Sequence, residues 1–192
     1  MTAPIKAVVL GVSAGGFNAL HKILPMFRKD LSVPIIIVQH RKADFDSYLI
    51  NSLNEKCQVP VKEPLDKTNI ESGIIYIAPG GYHLLVEKGE VLHFALSVDP
   101  PVCYCRPSID VLFESAADAF GSALIGVILT GANFDGSKGI KKIKSLGGIT
   151  IAENPETAEV DYMPSCAIRT NAIDHILHLD EIPIFIQKLL RL

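Results

Sequence analysis

Ser13 is the one hydroxyl in the stretch AVVLGVSAGG over 7–16, and glycine brackets it at Gly11 and at Gly15 and Gly16. A serine hydroxyl is a poor nucleophile until a base takes its proton, and the usual base is a neutral imidazole. His40 directly follows a second apolar run, PIIIVQ over 34–39. Imidazole works better when a carboxylate fixes its tautomer and stabilises the imidazolium that forms. Asp135, in the loop over 130–136 that follows the apolar run ALIGVIL over 123–129, supplies one. Residue types and chain order, Ser…His…Asp, thus predict acyl transfer: Ser13 attacks a carbonyl, His40 takes the proton and Asp135 orients His40. The tetrahedral oxyanion would need backbone N–H donors, which the turn after Ser13 and the loop over 131–133 can supply.

Each residue has a structural reading as well. Ser13 could satisfy orphan amides at a helix start, His40 could be a satisfied core histidine, and Asp135 before Gly136 could be a helix cap. The pattern Gly11-Val12-Ser13-Ala14-Gly15 fits G-x-S-x-G, the turn that carries nucleophilic serines. A glycine-rich turn after a first strand equally fits a phosphate cradle. What joins the three is their position relative to the elements that carry them.

Four apolar residues over 7–10 read as a buried strand, and Phe17, Leu20, Ile23, Leu24 and Phe27 fall on one helical stripe after it. The run over 34–39 is apolar on both faces, as a central parallel strand is. Phe45, Tyr48, Leu49, Ser52 and Leu53 recur at helical spacing, with Asp44 placed to cap. Residues 59–63 and 74–78 read as further strands. Those over 83–86 and 91–94 read as a hairpin around Lys88, Gly89 and Glu90. Ser108 is the expected N-cap of a helix bearing Ile109, Leu112, Phe113, Ala116, Ala117 and Phe120. Strands over 123–129 and 148–152 flank a lysine-rich helix ending at Leu146. Residues 154–166 read as irregular, 173–179 as an edge strand, and Asp180 as the cap of a last helix over 182–190. The alternation predicts an α/β fold: a doubly wound, mostly parallel sheet flanked by helices, with a small antiparallel hairpin. In such sheets sites form outside the carboxyl ends of the strands, where Ser13, His40 and Asp135 all fall.

The 192 residues are expected to form a single catalytic domain over 1–192, with 48% apolar and 20% charged residues. A net charge of −3 gives no electrostatic reason to expect nucleic acid, and no basic tract suits an anionic membrane surface. No signal peptide or spanning segment is expected, because nothing approaches the ~20 apolar residues a spanning helix needs. Cys57, Cys103, Cys105 and Cys166 lack C-x-x-C spacing. They read as buried free thiols of a cytoplasmic protein, not as a zinc site or disulfides.

Five motifs, VSAGG at 12–16, VQH at 38–40, IAPGGYH at 77–83, RPSIDVLF at 106–113 and LTGANFDG at 129–136, occur in order. In this the chain resembles the catalytic domain of the CheB-type protein-glutamate methylesterases over nearly its whole length. The resemblance implies hydrolysis of glutamate γ-methyl esters, with glutamine deamidation in some members. The substrates it implies lie on the helical cytoplasmic part of methyl-accepting chemotaxis receptors. It implies Ser13 as nucleophile, His40 as base and Asp135 as third member, with no metal or organic cofactor. The family usually carries a receiver domain before the esterase domain. This chain starts almost at the first strand, so either a constitutively open enzyme or control by a separate receiver or regulatory protein is expected. Where the family reads L-T-G-M-G-x-D-G, this chain has Ala132 and Asn133. Ala132 can still lend its N–H, whereas Asn133 is expected to alter the loop's backbone angles. Ala14 follows the serine where many members have threonine. Ala14, Arg41 and Ala132 are the expected substrate contacts.

Other readings stay open at the level of sequence. A patatin-like Ser–Asp lipase would leave His40 without a task, a degenerate member would bind receptors without hydrolysis, and a phosphate cradle would need no Ser13 hydroxyl. His83 is expected to close the turn over 79–82. Arg106 is expected to form a salt bridge within the fold, the alternative being that it lines the cleft and attracts an acidic receptor surface. Lys138, Lys141, Lys142 and Lys144 are expected to form a solvated helix face.

Overall fold

A computed structural model describes residues 4–41 and 48–191. Its centre is β1 (Ala7–Val12), every residue of which is buried. Parallel neighbours lie on both sides: β2 (Ile35–Gln39) and β7 (Leu124–Ile128), with Val9 opposite Ile36 on one side and Gly126 on the other. Outward from β2 come β4 (Ile75–Ile77) and then the two-residue edge strand β3 (Val61–Lys62). Outward from β7 come β8 (Ile149–Glu153) and the edge strand β9 (His175–Leu177). The resulting order, β3-β4-β2-β1-β7-β8-β9, is parallel throughout. The chain leaves β1 first toward β2 and returns on its other side at β7. The carboxyl ends of β1 and β7 therefore flank the switch in strand order, the usual place for a ligand in such a sheet.

Alternate strand residues feed two cores. Val8, Leu10 and Val12 pack with α1 (Gly16–Ile23), α2 (Tyr48–Asn54) and α6 (Glu181–Leu190). Ala7 and Val9 face the side covered by α3 (Ile109–Phe120), α4 (Ser137–Ser145) and α5 (Tyr162–Arg169). The hairpin of β5 (His83–Glu87) and β6 (His93–Ser97) covers α3 on that same side, with Leu84, Val86 and Phe94 buried in its core.

Several details differ from the sequence reading. The second hairpin strand lies over 93–97 instead of 91–94. Residues 154–166, read as irregular, contain the first half of α5. Pro164 in its first turn costs no hydrogen bond, because the amide it lacks would be an orphan there. Phe17 is exposed, and the buried face of α1 is Gly16, Ala19, Leu20 and Ile23. Phe17 instead stacks on Tyr48, 6.1 Å between ring centroids. Asp180 stands at the N-cap of α6 without a side-chain capping bond. The four cysteines are free but partly exposed. Asp44 and Phe45 lie outside the described residues. Among the described residues no helix is long and apolar enough to cross a membrane.

Candidate active site

Gly11 decides how closely the site can close. A Cβ there would stand 2.4 Å from Ile109 Cγ2, so the first turn of α3 seats on β1 only over a glycine. One residue past β1, Ser13 begins a turn whose Gly15 has a φ of +78°, a conformation open to glycine. The Ser13 amide donates to Thr130 O at 3.0 Å, tying the turn to the loop after β7. From the other side Gln39 Nε2 donates to Ser13 O at 3.0 Å. The serine is held by the ends of three strands.

His40 lies within reach of Ser13 and Asp135. Its Nδ1 is 3.1 Å from Ser13 Oγ, and its Nε2 donates to Asp135 Oδ2 at 2.8 Å. The Asp135 carboxylate fixes the proton of the neutral ring on Nε2 and turns the Nδ1 lone pair toward Ser13. That is the geometry of a general base. The ring nitrogens are used in the opposite sense to the serine-protease triad, where Nε2 meets the serine.

Asp135 is fully buried and accepts five hydrogen bonds. Oδ1 takes them from Ser108 Oγ, Asp110 N and Gly136 N, each at 3.0 Å. Oδ2 takes them from His40 and, at 2.6 Å, from Ile109 N. The Ile109 and Asp110 amides are orphan donors of the first turn of α3, so the carboxylate sits on the positive end of that helix. Burial pushes its pKa up, but the bonds from His40 and from the two amides outweigh burial and hold it below the usual carboxylate range. For His40, burial favours the neutral ring, yet Asp135 and a neighbouring thiol outweigh it and raise the imidazolium pKa to about 9.

That thiol belongs to Cys105, whose Sγ is 3.4 Å from His40 Nδ1. It ends a two-residue hairpin in which Val102 and Cys105 exchange backbone hydrogen bonds, with Cys103 and Tyr104 at φ of +49° and +64°. Asn133 holds this hairpin, because its Nδ2 donates to Cys103 O at 2.8 Å and to Cys105 Sγ at 3.3 Å. Its Oδ1 accepts from the amides of Phe134 and Asp135. Asn133 is not among the residues with positive φ, so the loop asks no glycine-only conformation of it.

Oxyanion donors are at hand in the turn and the loop. The Ser13 and Gly131 amides are spent on Thr130 O and Val160 O, whereas those of Ala14 and Ala132 meet no acceptor among the described residues. Ala14 and Ala132 are both exposed. The loop after β7 presses against the serine, and a Cβ on Gly131 would come 2.9 Å from Ser13 Cβ.

A groove of about 490 Å³ runs from His40 past Arg41, Gly81, Tyr104, Cys105 and Arg106. Arg41 lines it, but its Nη2 pairs with Glu63 and donates to Ala78 O, joining the end of β2 to its neighbours. Burial lowers its pKa. Arg106 makes no salt bridge among the described residues. It donates to Val98 O at 2.7 Å and to Asp99 O at 3.1 Å while lining the groove. His83 is buried and joins Pro100 O to the Ser108 amide instead of closing the turn before it. Lys138 and Lys142 pair with Glu114 and Asp118 of α3, and Lys144 with Asp174. The sequence reading missed Cys105, Ser108 and Asp110 as neighbours of the site. The run RPSIDVLF was the available signal, since it places a capping serine and a carboxylate at one helix start.

Residues 8–186 match the family model described as CheB methylesterase. A Leptospira interrogans protein named as a candidate protein-glutamate methylesterase/protein-glutamine glutaminase is 46% identical over 92% of this chain and 91% of its own length. The protein-glutamate methylesterase/protein-glutamine glutaminase of Clostridium acetobutylicum is 38% identical over 97% of this chain, which spans 54% of that protein. Among solved structures, the CheB methylesterase catalytic domain of Thermotoga maritima superposes with a TM-score of 0.92. It is 36% identical, with 98% of this chain and 99% of that one covered.

Proposed function

The chain belongs to the CheB methylesterase family, and from that premise we propose that it hydrolyses glutamate γ-methyl esters on the cytoplasmic helices of chemotaxis receptors, releasing methanol. Ser13 Oγ attacks the ester carbonyl as His40 Nδ1 takes its proton. Asp135 holds the ring and stabilises the imidazolium. The Ala14 and Ala132 amides receive the oxyanion. Collapse expels methanol, protonated by His40, and leaves a glutamyl ester on Ser13. Water then gives its proton to His40 and attacks this acyl-enzyme, returning the Ser13 hydroxyl and a free glutamate. A glutamine amide would follow the same course with ammonia leaving.

The observation that carries this reading is the unbroken relay from Ser13 Oγ to His40 Nδ1 at 3.1 Å and from Nε2 to Asp135 Oδ2 at 2.8 Å. It gives His40 the task that a Ser–Asp dyad would leave undone. The test is methanol release from a radiolabelled, methylated receptor cytoplasmic fragment. Wild type should release label, and Ser13→Ala should lose about 10⁴-fold or more, as a triad without its nucleophile does. Folded wild type that binds the fragment and releases nothing would make it a binding module and overturn the proposal.

A further inference from the structure

We propose that the Cys105 thiolate and His40 Nδ1 bind a zinc ion, which silences Ser13 by occupying the lone pair its activation needs. The silencing half rests on the function proposed above; the binding half does not.

The separation of the two donors suits a zinc ion. With Zn–N near 2.0–2.1 Å and Zn–S near 2.3 Å, a tetrahedral centre separates nitrogen and sulfur by about 3.6 Å. Cys105 Sγ lies 3.4 Å from His40 Nδ1. Ser13 Oγ, 3.1 Å from the same nitrogen, is close to the about 3.3 Å that an oxygen vertex requires. Two donors of the types zinc takes, His40 Nδ1 and Cys105 Sγ, therefore meet from two segments of the chain, with the Ser13 hydroxyl beside the same nitrogen.

The surroundings fit as well. A ligating histidine almost always gives its other N–H to a carboxylate, which fixes the tautomer and raises its basicity. Asp135 does this at Nε2. Its own oxygens are occupied by α3 and Gly136, so it acts from behind the ring and not as a ligand. Asn133 Nδ2 steadies the sulfur from outside, and the hairpin it holds fixes where the thiol stands. His40 and Cys105 both line the groove, so an ion has a path in. Two guanidiniums in that groove would repel a dication. Arg41 is offset by Glu63, and Arg106 is turned to the carbonyls of Val98 and Asp99, so the thiolate must supply the charge that offsets it. Binding is balanced: the thiol releases one proton as sulfur bonds to the metal, the imidazolium present below about pH 9 releases a second from Nδ1, and the ring keeps its Nε2 proton.

The test uses the full chain with Zn²⁺ in calorimetry and Co²⁺ as a spectroscopic stand-in. Wild type should bind one Zn²⁺ and, with Co²⁺, show thiolate-to-cobalt charge-transfer absorption. Cys105→Ala and the closer-sized Cys105→Ser should each lose that absorption and bind Zn²⁺ at least about 100-fold more weakly, since even an outer partner of a ligand is worth 10–100-fold. Cys57→Ala should behave as wild type. Zn²⁺ should stop methanol release by wild type, and a chelator should restore it. Absorption that persists in both Cys105 variants, or wild type that binds neither metal, overturns the proposal. Metal binding by wild type is read from calorimetry and cobalt absorption without any hydrolysis. Loss of the esterase reading would therefore leave the site standing, and loss of the site would leave the esterase reading intact.

Discussion

Asp135→Asn exchanges one carboxylate oxygen for an NH₂ and keeps the volume. The five donors around Asp135 leave that amide no good orientation. With Nδ2 in place of Oδ1 it faces the Asp110 and Gly136 amides, and two buried N–H groups lose their acceptor. With Nδ2 in place of Oδ2 it faces Ile109 N–H and the His40 ring. One backbone amide is then stranded, and His40 must move its proton to Nδ1 to accept from the asparagine. This second orientation costs less, and it presents N–H instead of a lone pair to Ser13. Stranding one amide costs about 1–3 kcal/mol, and losing the charge from the remaining bonds adds about 1–2 kcal/mol. Unfolding free energy should fall by roughly 2–5 kcal/mol, measured by urea denaturation. The rate constant for methanol release should fall about 10⁴-fold, the loss a triad suffers when its histidine is held in the wrong tautomer. The imidazolium pKa, read by NMR, should drop from about 9, because the carboxylate that raises it is gone. A variant keeping more than about a tenth of the wild-type rate, or unfolding at the wild-type urea midpoint, would refute this account of Asp135.

His40 predicts two pH dependences of opposite sign. Hydrolysis needs the neutral ring, so kcat/KM should rise with pH and level off above about 9; a flat profile from pH 7 to 10 would count against His40 as the base. The folded pKa of about 9 lies above the ordinary 6.5, so the ring's contribution to stability is complete below about pH 6.5 and lost as pH rises through 9. Urea unfolding of wild type against His40→Gln across that window measures it, and equal slopes would refute it. In Gly131→Ala the new Cβ would meet Met163 Cε at 2.6 Å and Ser13 Cβ at 2.9 Å. The loop must then shift against the serine, and the rate should fall on the order of 100-fold, as a misplacement of about 1 Å can cause; a wild-type rate would show that the loop does not position the site.

Much of the fold was legible because the central strands are continuously apolar and end at glycine, proline or polar residues. The run over 123–129 leaves little choice but a buried parallel strand, and β7 lies within it. Short edge elements were harder. Only two residues of the run over 59–63 pair with β4, because an edge strand has one partner and its ends need none. α5 was hidden for a related reason. It buries only Met163, Pro164 and Ala167, too few to set a helical period, and its proline reads as a breaker until its place in the first turn is known. Ser13, His40 and Asp135 could be picked out by chemical type and by position after a strand. Cys105 could not, because its meeting with His40 depends on a hairpin held from across the groove by Asn133.

The length of the two motifs around Asp135 follows from an exchange of caps. Asp135, at the start of the turn into α4, accepts the first amides of α3. Asp110, in the first turn of α3, accepts the amides of Lys138 and Gly139 at the start of α4 with the same Oδ1, at 3.0 and 2.7 Å. The start of α3 is met by a carboxylate that just precedes α4, and the start of α4 by one from the first turn of α3. Gly139 lets the pair close, since a Cβ there would stand 2.4 Å from Phe113 Cβ. The geometry facing His40 is thus not set by a flexible loop. It is set where two helices lock, and displacing Asp135 would leave the Ile109 and Asp110 amides without their acceptor. Burial raises the Asp110 pKa to about 6, so the partner carboxylate is poorly solvated and is kept in place by those amides. A charge that orients the proposed general base must stay put as the ring gains and loses its proton. Making that charge a helix cap ties its position to the stability of the fold.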